Sequence, residues 1–115
     1  MSAHTFPISE ALGFRRAFID TYLASGVENM TRYFTNDFQY FENGQALGAV
    51  QFFGILANTP VRKIVFNVHL RAGYHAQDEI LVKSYDLERR LLRIFILVRD
   101  FKVLGGYKIK KIEAI

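Results

Sequence analysis

The chain has 115 residues, which suits one domain, because two cores of half that size would each be too small to fold alone. It contains no cysteine, which excludes disulfides, thiolate metal sites and a cysteine nucleophile. The net charge of +4 is mildly basic, but no nucleic-acid-binding motif accompanies it, so no nucleic-acid partner is expected. We therefore predict a single domain over residues 1–115.

Apolar residues make up 50% of the sequence, and the chain has eleven phenylalanines. This exceeds what the core of a compact monomer needs, so some apolar surface is expected to line a cavity or a subunit interface. The longest strongly apolar stretch, residues 91–98 (LLRIFILV), is too short to cross a bilayer. The first ten residues lack the apolar segment of a signal peptide. We predict a cytoplasmic protein with no membrane partner.

Three helices are predicted in the first half of the chain. Residues 9–25 repeat apolar side chains at helical spacing between Ser9, a suitable N-cap, and Gly26, a suitable helix end. A shorter helix with one apolar face is expected directly after Gly26. The third helix is expected over residues 47–57 and ends before Pro60.

Strands are predicted in the rest of the chain. Residues 36–44 (NDFQYFENG) alternate with the period of a strand, and Asn43-Gly44 suits a tight turn because both residues tolerate positive φ. The strand over 91–103 is apolar on both faces, so the helices cover one face and a second subunit is predicted on the other. Short turns, such as residues 72–78 (AGYHAQD), indicate an antiparallel meander of four later strands at residues 61–72, 79–88, 91–103 and 107–114.

Three local signatures together resemble the nuclear transport factor two-like superfamily, which includes ketosteroid isomerases and SnoaL-like polyketide cyclases. They are the helix pair LASGVENMTRYF before Asp37-Phe38, the helix led by Gly48, and the closing segment FKVLGGYKIKKIEAI. The resemblance covers nearly the whole chain. It implies a cystatin-like α+β cone, with three N-terminal helices on the concave face of a curved, mostly antiparallel sheet. It also implies a pocket open at one end and a homodimer through the outer face of the sheet.

The resemblance implies roles for particular residues. In an alignment with ketosteroid isomerases, Glu42 falls where those enzymes carry their general-base aspartate, and a carboxylate at a pocket mouth could move protons. The residues alone also allow Glu42 to be an exposed turn residue. The isomerase's oxyanion-hole tyrosine corresponds to Ile19 and its protonated acid to Arg99, so steroid isomerisation is not supported. Arg99 instead indicates a substrate anion or an ion pair with Glu42.

His69 is the second candidate proton carrier, since histidine titrates unshifted near neutral pH. Alternation places His69 with Asn67 on one strand face, which is either solvated or part of a cavity wall. The two candidate catalytic residues are therefore Glu42 and His69. The residues expected to bind the substrate are Phe18, Tyr22, Tyr40, Phe53, Asn67, Tyr85, Arg99 and Phe101.

We predict a small-molecule-binding protein, either a proton-transfer enzyme (isomerase, cyclase or lyase) or a binder without turnover. Its ligand is expected to be small and hydrophobic, with or without an anionic group. Two other classes stay open: a non-catalytic dimerisation or protein-interaction module, and a small-subunit-like partner of an oxygenase. No cofactor or metal is predicted, because the three histidines do not fall at ligand spacing on one element.

Overall fold

The fold was analysed in a computed structural model, which describes residues 7–48, 50–52, 54 and 69–115. Side chains are described for these residues except residues 7, 27–29 and 69. Within these residues, two helices come before the six strands of a mixed sheet, so the fold is α+β. The elements are α1 Pro7–Ser25, a 3-10 helix Val27–Tyr33, β1 Phe34–Glu42, β2 Gln45–Leu47, β3 His69–Ala76, β4 Glu79–Tyr85, β5 Leu91–Arg99 and β6 Tyr107–Ala114.

Helix α1 confirms the first predicted helix, and the amide of Gly26 donates to the carbonyl of Tyr22 at its end (2.8 Å). Ser9 is not its N-cap, because the helix already includes Pro7. The predicted second helix is a 3-10 helix, the form that short connecting segments commonly take. Of the predicted third helix, residues 50–52 and 54 are helical, and residues 49, 53 and 55–57 lie outside the described residues. The predicted start is wrong, because Leu47 is the last residue of β2 and Gly48 is not helical. The described part of the chain therefore contains two bounded helices, not the three predicted. Neither is long and apolar enough to cross a membrane.

The strand order of the sheet is β2-β1-β6-β5-β4-β3. Strands β3 to β6 form the predicted antiparallel meander. Strand β1 runs parallel to β6, so the first and last strands of the chain are neighbours. Strands β1 and β2 form a hairpin at Asn43-Gly44, where φ is 53° and 78°, as the predicted tight turn requires.

The turn between β3 and β4 is shorter than predicted. Strand β3 continues through most of the AGYHAQD segment to Ala76, and only Gln77 and Asp78 form the turn. Strand β3 begins at His69, and the earlier part of the predicted strand, residues 61–68, lies outside the described residues.

Strand β5 ends at Arg99, earlier than predicted, because Asp100 begins a closed turn. The amide of Asp100 donates to the carbonyl of Gly106 (2.8 Å), and its carboxylate accepts from the amide of Lys102 (2.9 Å). The turn therefore removes Phe101 from the strand.

Helix α1 covers one face of the sheet, which we call the inner face, and the opposite face is the outer face. The core on the inner face is rich in aromatic side chains, with the rings of Phe34 and Phe38 in edge contact at 4.7 Å. Strand β5 contributes Phe95 and Leu97 to this core, both nearly fully buried. Its outer-face residues are only half-buried, which confirms that β5 is apolar on both faces: Leu92, Ile94, Ile96 and Val98.

Candidate functional site

Three polar side chains share the inner face at the end of the sheet where β1 ends and β5 begins. Glu42 ends β1 and is paired with Ala114 of β6, which is paired with Arg93 of β5. Tyr40 lies two residues before Glu42 and therefore on the same face of β1. We call Tyr40, Glu42 and Arg93 the open cluster.

Tyr40 connects the members of the open cluster. Its side chain is 2% exposed, and its ring packs on Phe52 at 5.0 Å. The Tyr40 hydroxyl donates to Oε1 of Glu42 at 3.2 Å, and Arg93 is close enough for its charge to act on the pKa of Tyr40. Burial raises the pKa of Tyr40, the negative charge of Glu42 raises it further, and the charge of Arg93 acts in the opposite direction. Tyr40 therefore remains a protonated donor at neutral pH.

Glu42 has features of both roles predicted for it, the proton carrier and the exposed turn residue. It is exposed at the strand end, directly before the Asn43-Gly44 turn, as a turn glutamate would be. Its carboxylate nevertheless accepts a hydrogen bond from the buried Tyr40. Glu42 therefore lies at the border between water and the aromatic core, where a bound ligand would cover it.

A second cluster of the same three side-chain types lies at the opposite end of the inner face. Arg99, the last residue of β5, is paired with Tyr107, the first residue of β6. Nη2 of Arg99 lies 3.1 Å from the Tyr107 hydroxyl and 3.4 Å from Oε1 of Glu10 in α1. The Tyr107 hydroxyl also donates to Glu10. We call Glu10, Arg99 and Tyr107 the closed cluster.

The closed cluster corrects the interpretation of Arg99. Its guanidinium pairs with Glu10 and not with Glu42, because Arg99 and Glu42 lie at opposite ends of the inner face. Tyr107 is 4% exposed, and burial together with the hydrogen bond to Glu10 raises its pKa to about 12. The Arg99 charge is thus balanced within the protein.

Four residues that the sequence assigned to substrate binding do not lie together in one site. Phe18 is fully buried in the core, and Tyr22 is half-buried against it. Tyr85 alternates with the buried Ser84 and so lies on the outer face of β4. Phe101 is 83% exposed, because β5 ends before it. Of the predicted site residues, Tyr40 and Glu42 therefore lie together on the inner face. Arg99 lies at the opposite end of that face, and Tyr85 and Phe101 do not lie on it.

The remaining predicted site residues lie wholly or partly outside the described residues. Phe53 and Asn67 are not described. His69 begins β3 and its backbone is paired with Tyr85, but its side chain is not described.

The space between α1 and the sheet is nearly filled. An apolar cavity there has a volume of about 20 Å³, roughly what one water molecule needs, and it is lined by Ala11, Phe14, Arg15, Leu70, Val82, Phe95 and Leu97. A ligand at the open cluster would therefore lie at the end of the sheet and not inside this part of the core.

The sequence reasoning missed Arg93, Glu10 and Tyr107 as possible site residues. Arg93 has the same parity in β5 as the core residues Phe95 and Leu97, and this signal could have placed it on the inner face. Glu10 gave no such signal, because its partner Arg99 is 89 residues away in the chain.

The sequence matches no protein-family model, and no curated protein is significantly similar to it. Solved structures do share its architecture. The CaMKII hub of S. rosetta has a TM-score of 0.58 at 10% identity, over 98% of this chain and 98% of the hub. An uncharacterised Caulobacter vibrioides protein with a cystatin-like fold has a TM-score of 0.58 at 12% identity, over 93% of this chain and 87% of that one.

A protein of Shewanella frigidimarina NCIMB 400, provisionally assigned as a ketosteroid isomerase, has a TM-score of 0.53 at 9% identity. The match covers 90% of this chain and 93% of that protein. At such low identities the likeness concerns the fold, which hosts many different functions. The comparisons therefore show the fold: the chain has the cystatin-like α+β architecture that its resemblance to nuclear transport factor two-like proteins implied.

Proposed function

We propose that the protein binds a small, mainly apolar molecule at the open cluster and that Glu42 transfers a proton on it. One observation carries this proposal: the buried Tyr40 hydroxyl donates to the exposed Glu42 carboxylate, with Arg93 beside it. A carboxylate base, a hydroxyl donor and a guanidinium are together what proton abstraction next to a carbonyl group requires.

Each side chain of the open cluster has a defined part in this reaction. The Glu42 carboxylate takes a proton from a carbon next to a carbonyl and returns it to another carbon of the same molecule. The Tyr40 hydroxyl turns from Glu42 to the carbonyl oxygen and donates to it while negative charge develops there. Arg93 stabilises the same charge. The bound ligand excludes water from Glu42, which strengthens all of these electrostatic interactions.

The proposed reaction class is isomerisation, and a cyclase or lyase reaction would begin with the same proton abstraction. Fold likeness alone cannot choose among these reactions, so the proposal depends on the three side chains. The ligand's apolar part would contact the aromatic core around Tyr40 and Phe52, whose rings are already in contact. We propose the cytoplasm as the location.

The probe for this site is 4-nitrophenol, whose phenolate resembles an enolate in charge and shape. Its binding is followed by absorbance near neutral pH. We expect the wild-type protein to bind the phenolate, and Tyr40→Phe and Arg93→Met each to weaken it about tenfold, the effect of one charge-assisted hydrogen bond. Glu42→Gln should tighten binding, because it removes a negative charge beside the phenolate.

Tyr107→Phe is the matched control, since it removes the same hydroxyl from the closed cluster. It should leave phenolate affinity unchanged. A wild-type protein that does not bind the phenolate, or equal losses in Tyr40→Phe and Tyr107→Phe, would refute the proposed site.

As a second proposal, the protein forms a homodimer through the outer face. The supporting observation is an apolar strip across β4 and β5 in which Leu81 is paired directly with Ile96. Ion pairs border the strip, such as Lys110 Nζ with Glu79 Oε2 at 3.3 Å. An apolar centre with a polar border is the usual make-up of a subunit interface.

Sedimentation velocity tests the dimer. We expect a wild-type dimer at micromolar concentration and a folded monomer for Ile96→Lys, because a stable interface buries at least about 1,000 Å² and excludes an unpaired charge at its centre. Thr31→Lys adds the same charge to the exposed 3-10 helix and should remain dimeric. A monomeric wild-type protein would refute the dimer. A dimer without phenolate binding would favour the non-catalytic module.

A further inference from the structure

A basic groove lies at the edge of the sheet formed by β3 and β4. Its volume is about 420 Å³, and its lining includes Leu70, Arg71, Tyr85 and Arg89. Sites for small ligands usually measure roughly 300–1,000 Å³, so the groove is large enough to hold one. The groove therefore has room for a ligand, unlike the cavity of about 20 Å³ between α1 and the sheet.

Positive charge accumulates at this groove. Arg71 and Lys83 are directly paired across β3 and β4, so two cations stand opposite each other on the outer face. Like charges in this position destabilise a sheet. Among the ion pairs formed within the described residues, none involves Arg71, Lys83 or Arg89. An anion bound in the groove would relieve this repulsion.

The turn after β4 adds a third cation. Asp86 accepts from the amides of Glu88 (2.8 Å) and Arg90 (2.9 Å), which orders the turn. The side chain of Arg90 pairs with both acids of the turn, Asp86 and Glu88, at 2.8 Å each. Arg89 is therefore the cation of this turn whose charge neither Asp86 nor Glu88 balances. Its φ of 65° lies in the left-handed region, an uncommon backbone conformation for an arginine.

Tyr85 gives the groove a flat, partly apolar wall. The guanidinium of Arg71 lies 5.8 Å from the centre of its ring, a cation–π contact that orients both side chains. A flat ring can stack on such a surface, and guanidinium groups bind phosphate or carboxylate oxygens in pairs. The lining therefore offers two kinds of contact to one ligand.

We propose that this groove binds a small anion that carries a flat ring, with a nucleoside monophosphate as the simplest example. Arg71 and Arg89 bind the anionic group, and Tyr85 stacks on the ring. The proposal is independent of the function proposed for the open cluster, because the two sites share no residue.

The register of the sheet separates the two sites. Leu70 beside the groove and Glu42 in the open cluster end one row of neighbouring residues, which runs through Ser84, Arg93 and Ala114. Four strand spacings of about 4.8 Å put the ends of this row about 19 Å apart. Arg93 is the member of the open cluster nearest to the groove, two spacings or about 10 Å from Leu70, but it lies on the inner face whereas Arg71 and Tyr85 lie on the outer face. No side chain therefore belongs to both sites.

The test compares adenosine 5′-monophosphate, inorganic phosphate and adenosine as probes at low salt, by calorimetry and by amide shifts in NMR spectra. We expect the nucleotide to bind at least about tenfold tighter than either fragment, because it alone uses both the charged and the aromatic contacts. Arg71→Met and Arg89→Met should each weaken it about tenfold. Tyr85→Leu should remove the preference for the nucleotide over phosphate.

Arg16→Met is the matched control, since Arg16 is exposed on α1 and its loss changes the net charge equally. It should leave nucleotide affinity unchanged, and Arg93→Met should weaken phenolate binding only. In the wild-type protein, nucleotide-induced amide shifts should centre on Tyr85 and Arg89. Shifts elsewhere, equal losses in Arg16→Met and Arg71→Met, phosphate binding as tight as the nucleotide, or no binding at millimolar nucleotide would each overturn the proposal.

Discussion

The two ends of the inner face use the same three side-chain types in opposite ways. In the closed cluster, Glu10 comes from α1, and its side chain is only 12% exposed. It therefore joins the helix to Arg99 and Tyr107 of the sheet. In the open cluster all three residues come from the sheet, and Glu42 is exposed.

The difference shows that burial, more than side-chain type, decides the role of a carboxylate, a phenol and a guanidinium. At the closed cluster the charges are balanced and the Glu10 carboxylate is largely buried, so breaking the set leaves that charge unpaired. At the open cluster the carboxylate keeps its hydration, so its loss costs little stability and its position can serve binding. Matched changes at the two ends should separate these roles.

The largest effect is expected from Gly105→Ala, in the turn that packs on α1 beside the closed cluster. Gly105 has a φ of +90°, and an added Cβ would come within 2.9 Å of the Cβ of Ala17 and 3.2 Å of the Cα of Phe14. We expect the free energy of unfolding to fall by about 3 kcal/mol, from left-handed strain and overpacking together. Urea unfolding measures it.

Gly44→Ala is the control at the open end, in the two-residue turn between β1 and β2. Gly44 also has a positive φ of +78°, but no atom of the described residues lies within 4 Å of an added Cβ. Only the conformational cost of about 1 kcal/mol should appear. Equal losses in the two variants would mean that the Gly105 turn is not packed on α1 as tightly as described.

The second effect is expected from Arg99→Met, which leaves the Glu10 carboxylate under α1 without its cation. A fully buried pair would cost about 3–5 kcal/mol, and we expect about 2–3 kcal/mol because the Arg99 side chain is 33% exposed. Thermal and urea unfolding measure the loss.

Phenolate binding at the open cluster should be unchanged in Arg99→Met. If this variant kept its stability but lost phenolate affinity, Arg99 would be an anion anchor after all. The closed cluster would then have been assigned the wrong role.

The third effect is a loss of stability at alkaline pH. Tyr107 has a folded-state pKa of about 12, above the value near 10 of an unfolded tyrosine. The folded state therefore holds a proton that the unfolded state has released, so this contribution is complete below about pH 10 and lost as pH rises through about 12. We expect a fall of about 2 kcal/mol across this window, measured by urea unfolding at several pH values.

Tyr107→Phe should remove most of this alkaline fall. Tyr40→Phe should remove a smaller part, since the pKa of Tyr40 is shifted in the same direction. An unchanged profile in Tyr107→Phe would show that the Tyr107 hydroxyl is not held between Glu10 and Arg99.

The elements of the fold could be predicted because their signals are local. The helical spacing of apolar residues predicted α1. The alternation of side chains along the chain predicted β1 and the strands of the meander, β3 to β6. The pairing of β1 with β6 could not be predicted, because it joins the two ends of the chain without a local pattern.

The polar clusters could not be predicted because they depend on register between strands. The register shifts between Ile96 and Leu97 against β6, and a one-residue slip exchanges the faces of a strand. The ion pair of Arg99 with Glu42, one of the two alternatives that the sequence left open, was wrong for another reason: the pairing of β1 with β6 places Glu42 beside Arg93, at the opposite end of β5 from Arg99. The exposure of Phe101 was missed for a different reason, since the Asp100 turn interrupts an apolar pattern that otherwise continues.

The smallest effect compares the two carboxylates directly. Glu10→Gln keeps the shape of the side chain but removes the charge that balances Arg99, so the free energy of unfolding should fall by about 1 kcal/mol. Glu42→Gln removes an exposed charge and should change it by less than about 0.5 kcal/mol, because surface substitutions are usually near neutral. Urea unfolding of both variants gives the difference, and the phenolate titration gives the opposite order, with the larger change in Glu42→Gln. If Glu42→Gln were the more destabilising of the two, the Tyr40 hydrogen bond would be a structural contact and the open cluster would have no free carboxylate for proton transfer.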